Sequence, residues 1–367
     1  MFLPYLTQTC VQPASFMKYA TAAYGAKTIS AANDQQIAND QDVINTVFKG
    51  DTGPGLAARL DIKDWISGKY LIDTPSEFIT RQKVSQHVGI PESDMIMFVK
   101  PGGSVQCLRH FIAVDHKNKE VILALRGTYS LSELLVDASA DNRDFCNGKA
   151  HSGIADVTDK LWEVCGDVVN AVLAGFPEYK LVITGHSLGG GAACLLTIKI
   201  YAEGLVKPGT NVECMSYASP AVFTPLEAAE TAVSKTTNFI HDNDCVSFLS
   251  AGNARELFDS IEVVDKKKGN FWQQLQVIMG AKPPSDELIK SVKIAGIEKE
   301  RDIVGAERSF VPAKKIVWMR KNKETEEYKA YNFLADKLPE IYVNEDMIFD
   351  HFPPFYEEAL NKLTDRD

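Results

Sequence analysis

Residues 180–196 read KLVITGHSLGGGAACLL, and this stretch decides how the rest of the chain is interpreted. Its first part, residues 181–184, is a short apolar run rich in β-branched side chains, which favours a buried strand over a helix. Residues 185–189 then fit the pattern G-x-S-x-G, and small, helix-favouring residues follow. A strand, a sharp turn and a helix form the context in which the central serine, Ser187, is presented as a nucleophile.

The turn around Ser187 is predicted to have a strained backbone, which glycines two positions before and after it would tolerate. The serine hydroxyl should then project from the carboxyl end of the strand. The backbone N–H groups that follow open a helix, so its positive dipole end would face an oxyanion formed there. The alternative interpretation is a glycine-rich turn without chemistry, and the flanking strand and helix argue against it.

Composition and charge exclude several classes of protein. The chain has 367 residues, of which 45% are hydrophobic and 24% are charged, and its net charge is −10. The acidic balance argues against a nucleic-acid partner. No apolar run approaches the roughly 18 residues of a membrane-spanning helix, and the start of the chain lacks the basic region of a secretory leader. The seven scattered cysteines predict reduced thiols and a cytoplasmic location, and they contain no pair with zinc-ligand spacing.

Strands and helices alternate along most of the chain. Strands are predicted at residues 95–99, 108–115, 121–125, 181–184, 214–218, 237–240 and 315–319, with the one at 315–319 as the last strand. Helices are predicted at residues 132–141, 154–173 and 225–233 and near the C-terminus, within residues 347–363. This rhythm predicts an α/β fold with a mostly parallel central sheet and helices on both faces.

The chain is therefore divided into an N-terminal helical segment, residues 1–94, and a catalytic domain, residues 95–367. Residues 251–310 interrupt the alternation and are predicted to be an insertion before the last strand. His151 directly precedes a predicted helix, and we interpret it as structural.

A serine hydroxyl needs a base to remove its proton and an acid to orient that base. After a nucleophile turn of this kind, the acid and then the histidine follow along the chain. His241 and His351 follow Ser187, and His241 lies too close to the acid candidates along the chain, so elimination selects His351. Asp242 and Asp244 both follow the strand at 237–240, and the residues alone leave both open.

An oxyanion formed at Ser187 requires two N–H donors. The residue after the nucleophile, Leu188, is the first expected donor. The second should come from the turn after an earlier strand, and residues 126–128, RGT, are the best such turn. Thr128 could add its hydroxyl as a further donor.

At these residues a family resemblance emerges. The motifs LRGT at 125–128, HSG at 151–153, GHSLGG at 185–190 and NDCV at 243–246 resemble those of the fungal-type class 3 lipases. Within that group, MIFDHFP at 347–353 is most similar to the sn-1-specific diacylglycerol lipases, and YATAAYG at 19–25 resembles the segment before their catalytic domain. One departure is that residues 246–249, VSFL, lack the proline that the family usually places after its acid.

The resemblance implies an α/β-hydrolase fold in which Ser187, Asp244 and His351 are nucleophile, orienting acid and base. It selects Asp244 over Asp242, and it implies that Thr128 and Leu188 form the oxyanion hole. The expected function is cleavage of acylglycerol esters through an acyl-enzyme, with no cofactor and no metal. Two alternatives remain: an esterase for small soluble esters, and a lipase-like regulatory protein without turnover.

A lipid substrate implies contact with an interface, so we expect transient binding to a membrane or lipid-droplet surface. Two segments could cover the serine as a mobile lid: the helix at 132–141 and the insertion segment at 266–284. The second combines three lysines with Phe271 and Trp272, which suits an anionic membrane surface, although such aromatics could also pack on the domain. Asp137, Asp141 and Asp144 lack the glycine turn of a calcium loop and are interpreted as a solvated acidic face.

Overall fold

The computed structural model describes residues 3–4, 11–24, 81–99, 108–127, 142–249, 309–335, 346–347 and 349–365. In chain order, its strands are β1 (Leu3–Pro4), β2 (Met95–Val99), β3 (His110–Asp115), β4 (Glu120–Leu125), β5 (Asn142–Phe145), β6 (Gly148–His151), β7 (Lys180–His186), β8 (Val212–Tyr217), β9 (Phe223–Thr224), β10 (Thr236–His241), β11 (Lys315–Lys321) and β12 (Tyr328–Phe333). Its helices are α1 (Val11–Ala22), α2 (Arg81–Val88), α3 (Ser152–Gly175), α4 (Leu188–Glu203), α5 (Glu230–Ser234) and α6 (Pro353–Thr364).

Nine of the strands form one sheet in the order β1-β12-β11-β10-β8-β7-β4-β3-β2, and β5, β6 and β9 form a small second sheet. The five central strands of the large sheet, β11, β10, β8, β7 and β4, are mutually parallel. The pairings outside them are antiparallel. This arrangement confirms the predicted α/β fold with its mostly parallel central sheet. The carboxyl ends of the five parallel strands meet at one edge, where a site can assemble.

Helices cover both faces of the large sheet, as predicted. α3 and α4 pack over β4, β7 and β8 on one face, and α1 and α6 pack against each other and against the sheet on the other. The strands β3 and β4 are buried along their whole length, because each is covered on both sides. That double burial explains why the inner strands read as continuous apolar runs.

The last strand was predicted wrongly. The strand at 315–319 is present as β11, but β12 follows it and pairs antiparallel with it. β1 pairs antiparallel outside β12 and forms the sheet edge. At the start of β12, Tyr328 and Ala330 are buried while Lys329 is exposed. This alternation is typical of a strand near the edge with one solvated face, and a search for continuous apolar runs overlooks it.

Two local predictions can be compared directly with the structure. α3 begins after His151, whose ring nitrogen Nδ1 accepts a hydrogen bond from the backbone N–H of Ile154 at 3.3 Å, so His151 caps the helix as a structural residue. The helix predicted at 225–233 is shorter than expected: a 3₁₀ turn, Leu226–Ala229, precedes the single short helix α5.

Several predictions lie outside the described residues. These are Thr128, the helix at 132–141, the segment at 266–284 and most of residues 1–94. The domain division and the insertion at 251–310 therefore stay predictions. Within the described ranges, none of the helices combines the length and the apolar character needed to cross a membrane.

Candidate active site

The turn between β7 and α4 holds Ser187 in a strained conformation. Its φ of 62° and ψ of −128° lie in a region that residues with a side chain rarely adopt. Two backbone hydrogen bonds fix it there. The Ser187 N–H donates to the carbonyl oxygen of Tyr217 at 2.9 Å, and the Ser187 carbonyl oxygen accepts from the N–H of Gly191 at 3.0 Å. The strained turn expected from the motif is therefore present.

The glycines of the motif are required by close backbone packing. A Cβ atom added at Gly185 would collide with the backbone of Gly189, and one added at Gly189 would lie 2.6 Å from the carbonyl oxygen of Leu125. Neither glycine has a positive φ. The sharp turn thus depends on the absence of side chains where β7, α4 and the end of β4 meet.

Three side chains from distant parts of the chain form one hydrogen-bonded row. His351 Nε2 lies 2.9 Å from Ser187 Oγ, and His351 Nδ1 lies 2.9 Å from Asp244 Oδ2. Ser187 and Asp244 are fully buried, while the His351 side chain is 14% exposed. Because a carboxylate only accepts hydrogen bonds, Nδ1 carries the imidazole proton and Nε2 can accept the proton of the serine hydroxyl. This is the geometry that activates a serine as a nucleophile.

The carboxylate of Asp244 is held by further donors. Its Oδ1 accepts from the backbone N–H of Val246 at 2.8 Å, and its Oδ2 accepts from the hydroxyl of Tyr356 at 2.5 Å. Burial raises the pKa of Tyr356 well above its ordinary range, and the neighbouring Asp244 adds to this shift. Tyr356 therefore stays protonated and remains a donor to the carboxylate.

The other acid candidate, Asp242, faces away from His351. Its Oδ1 lies 3.3 Å from Nε of Arg320, and its carbonyl oxygen accepts from the indole N–H of Trp318 at 2.6 Å. The structure therefore brings Asp244, and not Asp242, to the imidazole.

The other histidine candidate, His241, makes different contacts. Its Nδ1 lies 3.0 Å from the carbonyl oxygen of Asp350, and its Nε2 lies 3.1 Å from the hydroxyl of Tyr328. Burial lowers the pKa of His241, so the ring is neutral near pH 7. His241 helps to connect the two loops of the site and does not reach Ser187.

Sequence reasoning missed two residues beneath the row, Tyr24 and His186. The rings of His186 and His351 lie 4.7 Å apart between centroids, and His186 Nδ1 lies 2.9 Å from the hydroxyl of Tyr24. Burial, with a smaller contribution from the charge of His351, lowers the pKa of His186 well below its usual range. The neutral ring of His186 therefore packs against the ring of His351. Tyr24 lies in the predicted N-terminal helical segment, and nothing in the local sequence indicates a partner for its hydroxyl.

The oxyanion side of the site is described in part. Leu188 is the first residue of α4, so its N–H lies at the positive end of that helix. The chain after β4 passes close by, since a Cβ atom at Gly127 would lie 3.0 Å from Ser187 Cβ. Thr128 follows outside the described residues. The oxyanion roles of Leu188 and Thr128 remain predictions.

Among the described residues, no group of three or more His, Cys, Asp or Glu side chains is placed to hold a metal ion. The five cysteines in the described ranges, Cys146, Cys165, Cys194, Cys214 and Cys245, are free thiols.

Comparison with known proteins places this geometry in a family context. Residues 122–253 match the family described as lipase (class 3). Diacylglycerol lipase-beta of Mus musculus is 37% identical over 158 residues, which cover 41% of this chain and 23% of that protein. Secreted mono- and diacylglycerol lipase A of Penicillium cyclopium is 34% identical over 147 residues, which cover 38% of this chain and 46% of that protein. The match thus spans less than half the length of either relative.

A solved structure shares the fold. The Rhizomucor miehei lipase propeptide complex superposes with a TM-score of 0.50 at 12% identity, covering 96% of this chain and 79% of that chain. At this identity the likeness shows the α/β-hydrolase fold alone. The family match, in contrast, contains both the Ser187 turn and the Asp244 loop. Over residues 122–253 this chain is therefore similar to the class 3 lipase family, and its similarity extends to the diacylglycerol lipases.

Proposed function

We propose that this protein is a serine hydrolase that cleaves the carboxylic ester bonds of acylglycerols through an acyl-enzyme intermediate. Ser187 is the nucleophile, His351 the general base and acid, and Asp244 the orienting carboxylate. The observation that carries the proposal is the row of two 2.9 Å contacts that joins Ser187 Oγ, His351 and Asp244 Oδ2. The family match supports the same reading.

In the first half of the reaction, Ser187 Oγ attacks the ester carbonyl carbon while His351 Nε2 takes its proton. The carbonyl π electrons move to oxygen, which becomes the oxyanion of a tetrahedral intermediate. Asp244 stabilises the imidazolium formed at His351. Collapse of the intermediate breaks the bond to the alcohol oxygen, which receives the proton from Nε2, and leaves the acyl group on Ser187.

In the second half, His351 removes a proton from a water molecule as the water oxygen attacks the acyl carbon. The new intermediate collapses, Ser187 regains its proton from Nε2, and the fatty acid leaves. The N–H of Leu188 stabilises both oxyanions, with Thr128 as the second donor.

The acylglycerol substrate is supported by two relatives, a diacylglycerol lipase and a mono- and diacylglycerol lipase. An apolar cluster of Cys245, Val246 and Leu249 packs against Leu188 and Met347, directly beside the nucleophile turn. The cluster itself is buried, but Leu188 and Met347 are partly exposed, and their apolar side chains favour an apolar acyl group over a polar one.

We further propose a cytoplasmic enzyme that binds transiently to a membrane or lipid-droplet surface, where its substrates lie. The free thiols of the described residues support a reducing compartment. The lysine and aromatic residues at 266–284 are the proposed contact with an anionic surface.

A fluorophosphonate probe tests the proposal directly. We expect it to label Ser187, and we expect Ser187→Ala to abolish labelling and to lower kcat on p-nitrophenyl butyrate by roughly four to six orders of magnitude. Dispersed dioleoylglycerol should be hydrolysed faster than this soluble ester. Wild-type protein that is folded and not labelled would contradict the hydrolase, and a preference for the soluble ester would favour the small-ester esterase.

A further inference from the structure

Asp350, the residue before His351, links the two loops that carry the base and the acid. Its Oδ2 accepts from the backbone N–H of Asn243 at 3.0 Å and from the side-chain amide of Asn243 at 3.1 Å. Its carbonyl oxygen accepts from His241 Nδ1 at 3.0 Å. Asp350 and Asn243 are 107 residues apart, so these three hydrogen bonds bring together segments that are remote in the chain.

The loop that Asp350 binds is itself anchored to the sheet. Asn243 Oδ1 accepts from Nη1 of Arg320 on β11 at 3.1 Å, and His241 Nε2 lies 3.1 Å from the hydroxyl of Tyr328 on β12. The Asp350 side chain is 15% exposed, so little water competes for these contacts. Through them, the turn that carries His351 is fixed to the rigid part of the fold.

We propose that Asp350 is a positioning residue, which holds His351 in line with Asp244 by binding Asn243. The inference rests on the proposed role of His351 as the base. Asp350 does not touch Ser187, and it acts on the reaction only through the placement of its neighbour. Misplacement of a reacting group by about 1 Å can lower a rate by roughly 100-fold, so such a link has a measurable effect.

The surroundings of Asp350 add an electrostatic consequence. The titratable and charged groups around it are Asp346 and His351 on its own segment, His241, Asp242 and Asp244 on the acid loop, Arg320 and Tyr328 on the two strands, and Tyr356 and Glu358 on α6. Burial, and then the charges of Asp242 and Asp346, raise the pKa of Asp350 to about 7, although the N–H of Asn243 opposes the shift. Asp350 thus gains its negative charge only near neutral pH, and its carboxyl is neutral in more acidic solution.

Substitutions at Asp350 separate its hydrogen bonds from its charge. With p-nitrophenyl butyrate, Asp350→Ala should lower kcat by roughly 10- to 100-fold and change KM by less than about twofold. Asp350→Asn keeps an acceptor oxygen for Asn243, so it should retain most of kcat. Below about pH 6 its kcat/KM profile should follow that of wild type, because the carboxyl of Asp350 is already neutral there.

Asp346→Asn is the matched control. Asp346 lies on the same segment and its carboxylate bonds Lys323 at 2.7 Å, away from the acid loop. The same change of charge there should leave kcat within about twofold of wild type.

An exchange of donor and acceptor tests the contact itself. At pH 9, well above the pKa of Asp350 of about 7, Asn243→Asp places a carboxylate against that of Asp350, and we expect kcat to fall by roughly tenfold or more. Adding Asp350→Asn should restore most of the loss, because the new amide at 350 can donate to the new carboxylate at 243 and still accept from the backbone N–H. A general structural role for Asp350 does not produce this rescue. The exchange also provides a test if Asp350→Ala does not fold.

A kcat for folded Asp350→Ala within about twofold of wild type would overturn the inference, and so would a double variant no more active than Asn243→Asp alone. Failure of the proposed function has a different signature, in which wild-type protein neither hydrolyses the ester nor reacts with the probe. In that event the low-field proton resonance of His351 Nδ1–H bonded to Asp244, assigned by its loss in His351→Gln, still tests the inference. It should be present in wild type and Asp350→Asn and lost in Asp350→Ala; its persistence in Asp350→Ala would overturn the link.

Discussion

At the scale of single residues, the carboxylate of Asp244 accepts hydrogen bonds from three different residues. One oxygen accepts from both His351 Nδ1 and the Tyr356 hydroxyl, and the other accepts from the N–H of Val246. The hydroxyl therefore competes with the imidazole for the negative charge on Oδ2. Tyr356 limits how strongly Asp244 can stabilise an imidazolium.

Removing this hydroxyl should change the pH profile. In Tyr356→Phe, Asp244 accepts one hydrogen bond fewer, so more of its negative charge is available to stabilise the imidazolium of His351. The acidic limb of the kcat/KM profile should therefore move to higher pH. Tyr217→Phe is the control: it removes another buried hydroxyl on the same face of the sheet, one that donates to the carbonyl oxygen of Pro13 at 2.5 Å. Both variants should lose about 1 kcal/mol of stability, but Tyr217→Phe should leave the pH profile unchanged. Identical profiles for wild type and Tyr356→Phe would contradict this account.

Residue types predicted some members of the site and not others. Ser187 could be found because its strand, turn and helix are contiguous in the sequence. His351 could be found because few histidines follow Ser187 in the chain. Asp242 and Asp244 follow the same strand, so only the path of the loop separates them. That path depends on contacts with Trp318 and Arg320 that no local pattern encodes. The contact between Tyr24 and His186 spans 162 residues and is likewise invisible to a local reading.

At the scale of elements, the junction of β7 and α4 leaves no room for a side chain at its glycines. A side chain at Gly189 would meet the carbonyl oxygen of Leu125 at 2.6 Å and the backbone of Arg126 at 2.8 Å. Backbone atoms cannot rotate away as a flexible side chain can, so the strand and the helix would have to separate.

Gly189→Ala should therefore destabilise the fold by roughly 2–4 kcal/mol and abolish labelling of Ser187 by the fluorophosphonate probe. Gly175 offers a matched control, because it is the last residue of α3 and a Cβ there would meet no atom within 4 Å. Gly175→Ala should be neutral or stabilise by up to about 1 kcal/mol. Urea unfolding of the two variants measures both effects, and equal unfolding midpoints would refute the packing argument.

How well a strand could be predicted from the sequence depended on how many of its faces are buried. Strands covered on both faces, such as β4 and β7, carry continuous apolar runs that stand out in the sequence. Near the sheet edge, β12 has a solvated side and alternates, and β1 has only two residues. A strand that is buried on both faces can therefore be predicted from its continuous apolar run, whereas a strand with one exposed face lacks that run and is overlooked.

At the scale of the whole molecule, buried neutral histidines govern the response to acid. Burial lowers the pKa values of His110, His186 and His241 below the usual 6.5. Each would take up a proton on unfolding below that pH, so the stability contributed by the neutral rings is lost as pH falls through 6.5. Asp350 acts in the opposite direction, because its raised pKa of about 7 makes the folded state lose stability as pH rises from 3.8 towards 7.

Three histidines with lowered pKa values act against one aspartate with a raised pKa, so the folded state should lose stability as pH falls below about 6.5. Urea unfolding across this range measures the slope of stability against pH. His110→Gln should make this slope less steep, because it removes one of the groups that take up a proton on unfolding. A slope near zero in wild type would contradict the neutral state of these rings.

The packing of α1 against α6 also has a consequence for biosynthesis. Ser187 leaves the ribosome 164 residues before His351, the residue proposed as its base. α6, which supplies Tyr356 and seals the face of the sheet opposite α4, emerges later still. A nascent polypeptide therefore cannot assemble the row of Ser187, His351 and Asp244 until the segment that carries His351 and α6 has left the ribosome.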